Sequence, residues 1–63
     1  MIYMYTYEVS CYMSDCEGKG LFEKWVYCAA DSRSEALKIA VEYFENVLRL
    51  VYRETIYVRR VFR

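Results

Sequence analysis

The chain contains no proline, and its only two glycines fall in one polar run, Ser14-Asp15-Cys16-Glu17-Gly18-Lys19-Gly20. Glycine and proline are the residues that punctuate regular structure. The rest of the chain is therefore free to sit in strands and helices, and the run itself reads as a turn, too long for a two-residue hairpin. Sixty-three residues give one domain, 1–63, near the lower limit for unaided folding, because a chain of this size buries only about 60% of the surface its unfolded form exposes. Composition offsets the shortage: 57% of residues are hydrophobic, with eight tyrosines, three phenylalanines and one tryptophan. Each buried aromatic removes roughly 150–250 Å² from water. High apolar content and zero net charge argue against any long disordered stretch.

Residues 2–13 alternate with the period of a strand. One face carries Tyr3, Tyr5, Tyr7, Val9, Cys11 and Met13, and the other Ile2, Met4, Thr6, Glu8, Ser10 and Tyr12. Residues 21–30 form a second strand, with Phe22, Lys24, Val26, Cys28 and Ala30 on one side and Leu21, Glu23, Trp25, Tyr27 and Ala29 on the other. Each side has one charge and several apolar residues, so the pattern leaves open which of them meets the core. Ser32, followed three residues later by Glu35, is a capping box in which the hydroxyl and the carboxylate satisfy orphaned amides at a helix start. Leu37, Ala40, Val41, Phe44, Leu48 and Val51 then recur at helical spacing on one stripe. Glu45 and Arg49 are placed as a favourable i,i+4 pair on the solvent side. Where this helix stops is open: Asn46 offers an early cap, while residues 47–52 suit a last turn or an extended segment. Residues 54–62 alternate again, with Ile56, Val58 and Phe62 on one side and Tyr57, Arg59 and Val61 on the other.

These elements predict an α+β fold of order β-β-α-β. A hairpin followed by a crossover helix returns the last strand beside the first, giving a three-stranded antiparallel sheet of order 2-1-3 with one helix on one face. Strand one is then central, which suits its single charge, Glu8. Lys24, Arg59 and Arg60 lie on edges, where charge discourages aggregation.

Charge is unevenly spread. Residues 1–35 hold six acids against three bases, net −3, and residues 36–63 hold six bases against three acids, net +3. The halves either neutralise each other across strand pairs or present an acidic hairpin end and a basic last strand to different partners. Zero overall charge argues against nonspecific nucleic-acid binding. No segment approaches the ~20 apolar residues that span a bilayer. The N-terminus also lacks a basic region leading into an apolar run, so no secretory signal or membrane partner is expected. Three cysteines without framework spacing fit reduced thiols in a cytoplasm.

No catalytic apparatus is legible. Histidine is absent, which removes triads and the commonest transition-metal ligand. Cys11, Cys16 and Cys28 lack the four ligands and close pairs of a structural zinc site. Cys11 and Cys28 read as small apolar residues in or near the core. Cys16 lies between acids that disfavour its thiolate. Gly18-Lys19-Gly20 has no helix behind it and no Walker spacing. No enzyme activity, cofactor or metal is expected.

The surplus is aromatic. If Tyr5, Tyr7, Val9, Val26, Cys28, Ile56 and Val58 meet the helix, then Met4, Tyr12, Trp25, Tyr27, Tyr57 and Val61 lie on the uncovered face among Glu8, Glu23 and Arg59. Monomers seldom expose large apolar patches without a use for them, and Tyr, Trp and Arg dominate binding hot spots. The candidate contacts are Trp25, Tyr27, Tyr57 and Arg59, with Asp15 and Glu17 in the loop imitating phosphates. A second copy of the chain and a foreign protein are equally admissible occupants. The contrasting reading is a single-strand nucleic-acid module that stacks bases on the same rings, helped by Arg59, Arg60 and Arg63.

The runs Tyr3-x-Tyr5-x-Tyr7-x-Val9, Trp25-x-Tyr27-x-Ala29-Ala30-Asp31-Ser32-x-x-Glu35-Ala36-Leu37 and Ile56-Tyr57-Val58 resemble tiny β-β-α-β proteins. In outline they are similar to the archaeal ribosomal protein of the LX type, though without its basic character. The layout also looks like that of small accessory proteins of bacteriophages and mobile elements, including anti-CRISPR proteins. That resemblance implies a noncatalytic inhibitor acting in the host cytoplasm, one that occludes a host protein or nucleoprotein complex such as a CRISPR effector.

Overall fold

A computed structural model describes residues 4–61 of the chain. The elements follow the expected order: β1 (Tyr5–Ser14), β2 (Phe22–Ala30), α1 (Arg33–Asn46) and β3 (Val51–Val61). The sheet is antiparallel, with strand order β2-β1-β3. Ile2, Tyr3 and Phe62, which the alternation also assigned, and Arg63, named as a nucleic-acid contact, lie outside the described residues.

The hairpin loop is held by Asp15. Its carboxylate accepts from the Glu17 and Lys19 amides at 3.0 and 2.7 Å, and Gly18 and Gly20 adopt φ of 79° and 77°, a region that costs glycine nothing. Ser14 Oγ donates to the Gly20 carbonyl at 2.8 Å and closes the loop's base. The helix begins at its expected cap: Glu35 N donates to Ser32 Oγ at 3.2 Å. The reciprocal bond is displaced by one residue, because the Glu35 carboxylate takes the amide of Asp31, at 2.7 Å, in place of that of Ser32.

One side of β1 faces the helix, and Tyr7, Val9, Cys11 and Met13 are buried there with Ala30, Ala36, Ala40, Phe44 and Val58. Small residues on α1 let it lie close to the sheet, while Phe44 fills the space between. Val26 and Cys28 pack against this core, which settles the open choice in β2: the side holding Phe22, Lys24, Val26 and Cys28 is the helix side. Leu48 and Val51, expected on the buried helical stripe, are both exposed. Tyr5 is likewise exposed, with the Arg60 guanidinium over its ring at 4.6 Å.

Two findings correct the reading of the last third. The strand starts at Val51, and its register against β1 shifts twice: Tyr57 faces Ser10 but Thr55 faces Cys11, and Glu54 faces Tyr12 but Tyr52 faces Met13. Ile56 and Arg53 are thus the extra residues of two bulges. The first bulge flips the period-two rule, so Thr55 faces Cys11 while Ile56, expected to meet the helix, is 36% exposed. The second bulge restores the parity, and Tyr52 packs against the core. The second concerns the helix end, which the sequence leaves open and which falls at Asn46, the earlier of the two stops. Amides of Val47 and Leu48 both reach the Tyr43 carbonyl, and Leu50 N reaches Phe44 O at 3.0 Å. The chain turns through Arg49 at φ 60°. Arg49 therefore lies beyond the helix, and its expected i,i+4 pairing with Glu45 does not apply.

Left-handed backbone costs a non-glycine residue about 1–2 kcal/mol, and glycine brings an entropy cost of about 0.5–1 kcal/mol. Arg49→Gly is therefore expected to raise stability by about 0.5–1 kcal/mol in urea denaturation, and no gain would show that Arg49 makes a compensating contact. Phe44→Ala, at about 3–5 kcal/mol, should exceed the few kcal/mol that a domain of this size possesses and leave the chain unfolded by circular dichroism.

Candidate functional site

The face of the sheet away from α1 is organised by β1. Two rows cross it: Tyr27, Glu8 and Arg59 in one, Trp25, Ser10 and Tyr57 in the next. Neighbouring strands lie about 4.8 Å apart, so all four predicted sheet residues converge on Glu8 and Ser10. Trp25 and Tyr27 are 54% and 55% exposed. Their rings meet edge-on, centroids 5.4 Å apart, an arrangement favoured by the ring quadrupoles.

The middle of this face is polar, and it is dry. Glu8 is only 8% exposed and Ser10 not at all, although no helix covers them. The flanking side chains do the covering, and each central group finds a partner beneath them. Arg59 donates to Glu8 Oε1 through Nε at 2.8 Å, with its Nη2 at 2.7 Å. Ser10 Oγ donates to Glu23 Oε2 at 2.6 Å. Farther along, Arg53 Nη1 approaches Ser14 Oγ at 3.4 Å. The Arg59 guanidinium also lies 5.4 Å from the Tyr57 ring centre.

These contacts tune two groups. Partial burial, the hydrogen bond to Glu8 and the charge of Glu8 push the Tyr57 phenol above its ordinary value, against a smaller opposite pull from Arg59. The hydrogen bond to Glu8, then its charge, pushes Arg59 up as well. Arg59 is thus committed to Glu8 as a structural cation while the outer part of its side chain stays in solvent.

Sequence reasoning missed Glu8 and Ser10 as parts of this site. The available signal was that Glu8 is the only charge in a strand placed at the sheet's centre. Asp15 and Glu17 do not join the site. They sit in the hairpin loop, five or more residues beyond Ser10, or about 17 Å along an extended strand. The Asp15 carboxylate is occupied by loop amides, and Glu17 pairs with Lys19 at 3.7 Å.

Cys11 is buried, Cys28 half-buried and Cys16 exposed. Burial pushes the Cys11 and Cys28 thiols above their ordinary 9.0, which weakens both as nucleophiles. Among the described residues no group of three or more Cys, Asp or Glu is placed to hold a metal ion, and no helix is long and apolar enough to cross a membrane. Comparison of the chain with protein-family models, curated proteins and solved structures found no match.

The raised groups fix the sign of an alkaline response. When a folded-state value lies above the unfolded one, the unfolded chain loses its proton first, so stability is intact at lower pH and falls as pH rises past the unfolded value. Unfolding free energy should therefore decline above pH 9 through Cys11 and Cys28, and more steeply above pH 10 through Tyr57. Tyr57→Phe should flatten only the later portion, measured by urea denaturation across pH. An unchanged profile in that variant would mean that Tyr57 titrates as a free phenol.

Proposed function

We propose that this chain is a noncatalytic binding protein that occludes a surface on a protein or nucleoprotein complex with the open face of its sheet. The observation that carries the reading is the exposure of Trp25 and Tyr27 beside a face whose polar centre is already internally satisfied. A hot spot works when aromatic anchors enter pockets and no polar group is left unpaired. Here Glu8, Ser10 and Glu23 already have partners, so docking would desolvate little that is not compensated. The complementary surface would offer apolar pockets for Trp25 and Tyr27, with acceptors at its rim for the Arg59 guanidinium.

The inhibitor form of this reading rests on the small size and β-β-α-β layout shared with phage accessory proteins, for which a CRISPR effector is one such target. A domain of this size without catalytic groups acts by covering a surface. Charge favours protein over nucleic acid as the contact. The face carries Glu8, Glu23 and Glu54 along with Arg53 and Arg59, and Arg59 is paired with Glu8. A surface that tracks phosphates needs a surplus of cations.

Used as bait in extract from its own host, the wild-type chain should retain a protein that Trp25→Ala/Tyr57→Ala loses, while Lys38→Ala on the helix retains it. The double variant should keep its circular dichroism spectrum. If it unfolds, the two rings belong to the core and the face assignment is reversed. RNA or DNA binding by the pure chain at low salt, lost steeply as salt rises, would replace this reading with the nucleic-acid one.

A further inference from the structure

The two outer strands have very different free edges. β3 bears two bulges, at Ile56 and Arg53, along with Arg59 and Arg60, which are devices that spoil strand addition. By contrast, β2 pairs with β1 in unbroken register over nine residues, Phe22–Ala30 against Met13–Tyr5. Beside it runs a groove of about 340 Å³ lined by Val26, Tyr27, Cys28, Ile39, Ala40 and Tyr43. Ile39 and Tyr43 on α1, with Val47 at its C-terminal cap, form an exposed apolar row, one turn apart and separate from the buried row of Ala36, Ala40 and Phe44.

We propose that β2 is a self-pairing edge: two copies join β2 to β2 antiparallel about a two-fold axis through Val26, making one continuous six-stranded sheet. This goes beyond the docking role and does not depend on it, because the open face stays uncovered in such a dimer.

The strand's own residue order supports that register. Val26 is the midpoint of Phe22–Ala30, so every residue of β2 finds a partner. Trp25 faces the second copy's Tyr27, and Tyr27 its Trp25, forming aromatic cross-strand pairs that stabilise sheets. Phe22 meets Ala30 and Lys24 meets Cys28, large against small, and no like charges are opposed. Moving the axis to Lys24 or to Glu23 would set like charges against each other, so those alternatives are disfavoured.

The helix side is complementary as well. Cys28 Sγ lies 3.5 Å from the Ala36 carbonyl, and Val26 shares the groove with Ala40 and Tyr43, so α1 runs antiparallel to β2. Lys24, opposite the second copy's Cys28, thus arrives beside the acidic start of that copy's helix, at Asp31 and Glu35. The two central β1 strands would stand three strand spacings apart, about 14 Å. Helices in direct contact lie about 8–10 Å apart. The excess is space that Ile39 and Tyr43 of both copies are placed to fill.

Sedimentation equilibrium over a micromolar to millimolar series tests this. The wild type should approach twice the 7.7 kDa chain mass with rising concentration. Trp25→Lys/Tyr27→Lys sets lysine against lysine at both cross-strand positions and should remain a monomer. Trp25→Lys/Tyr27→Glu sets lysine against glutamate at both and should recover the dimer. Ile39→Lys, on the helix side, should also abolish it without altering the open face, which separates edge pairing from face-to-face association. Circular dichroism confirms that each variant is folded, and because the substituted side chains are exposed, folding should persist. A wild type that stays monomeric throughout overturns the proposal, as does a dimer that survives both Ile39→Lys and the double lysine variant.

Discussion

Three strands lie side by side, and a single helix shelters only one of their two faces. The central strand, β1, is nevertheless buried on both. Tyr7, Val9, Cys11 and Met13 are buried on the helix side, whereas Glu8, Ser10 and Ser14 are buried on the side that no helix covers. That second burial dictates the character of the open face. A polar group shielded from water needs an internal partner, and Arg59, Glu23 and the Gly20 carbonyl supply the partners. The aromatic residues flanking this polar line dry its centre and show their own outer surfaces to solvent.

The uncovered face is therefore not uniformly greasy, in keeping with the Glu8, Glu23 and Arg59 that the strand alternation placed among its rings. It is a polar line between aromatic flanks, and this matters for binding. A purely apolar face on so small a chain would drive indiscriminate association. A face whose central hydrogen bonds are already made can bind through its rings without stranding a donor or acceptor. The open face and the β2 edge meet at Trp25 and Tyr27, so any partner on one would sense the state of the other.

Much of the layout could be read from local pattern. The turn glycines, the Ser32–Glu35 cap and the alternation of β1 and β2 depend on neighbours close in sequence, and they gave the elements, their order and the 2-1-3 sheet. What escaped were features set by distant partners. Ile56 and Arg53 are bulged only with respect to β1, and nothing in residues 54–62 marks the break. Arg49 takes a left-handed turn that usually belongs to glycine, so composition gave no sign of it. Convergence of Trp25, Tyr27, Tyr57 and Arg59 followed from parity in β1 and β2, and from the part of β3 beyond its bulges. Alternation placed Glu8 and Ser10 on this face, but their burial was hidden because two polar residues on a side without a helix carry no hydrophobic signature. The loop acids stand apart from that cluster, and the Asp15 carboxylate is engaged in building the turn.

Trp25 is the only tryptophan in the chain, and it reports directly on whether the helix leaves this face bare. In dilute solution of the folded, isolated chain, its fluorescence should be red-shifted and quenched by acrylamide nearly as readily as in the unfolded chain. A blue-shifted emission that resists acrylamide in the lone folded molecule would place the indole in the core and contradict the account.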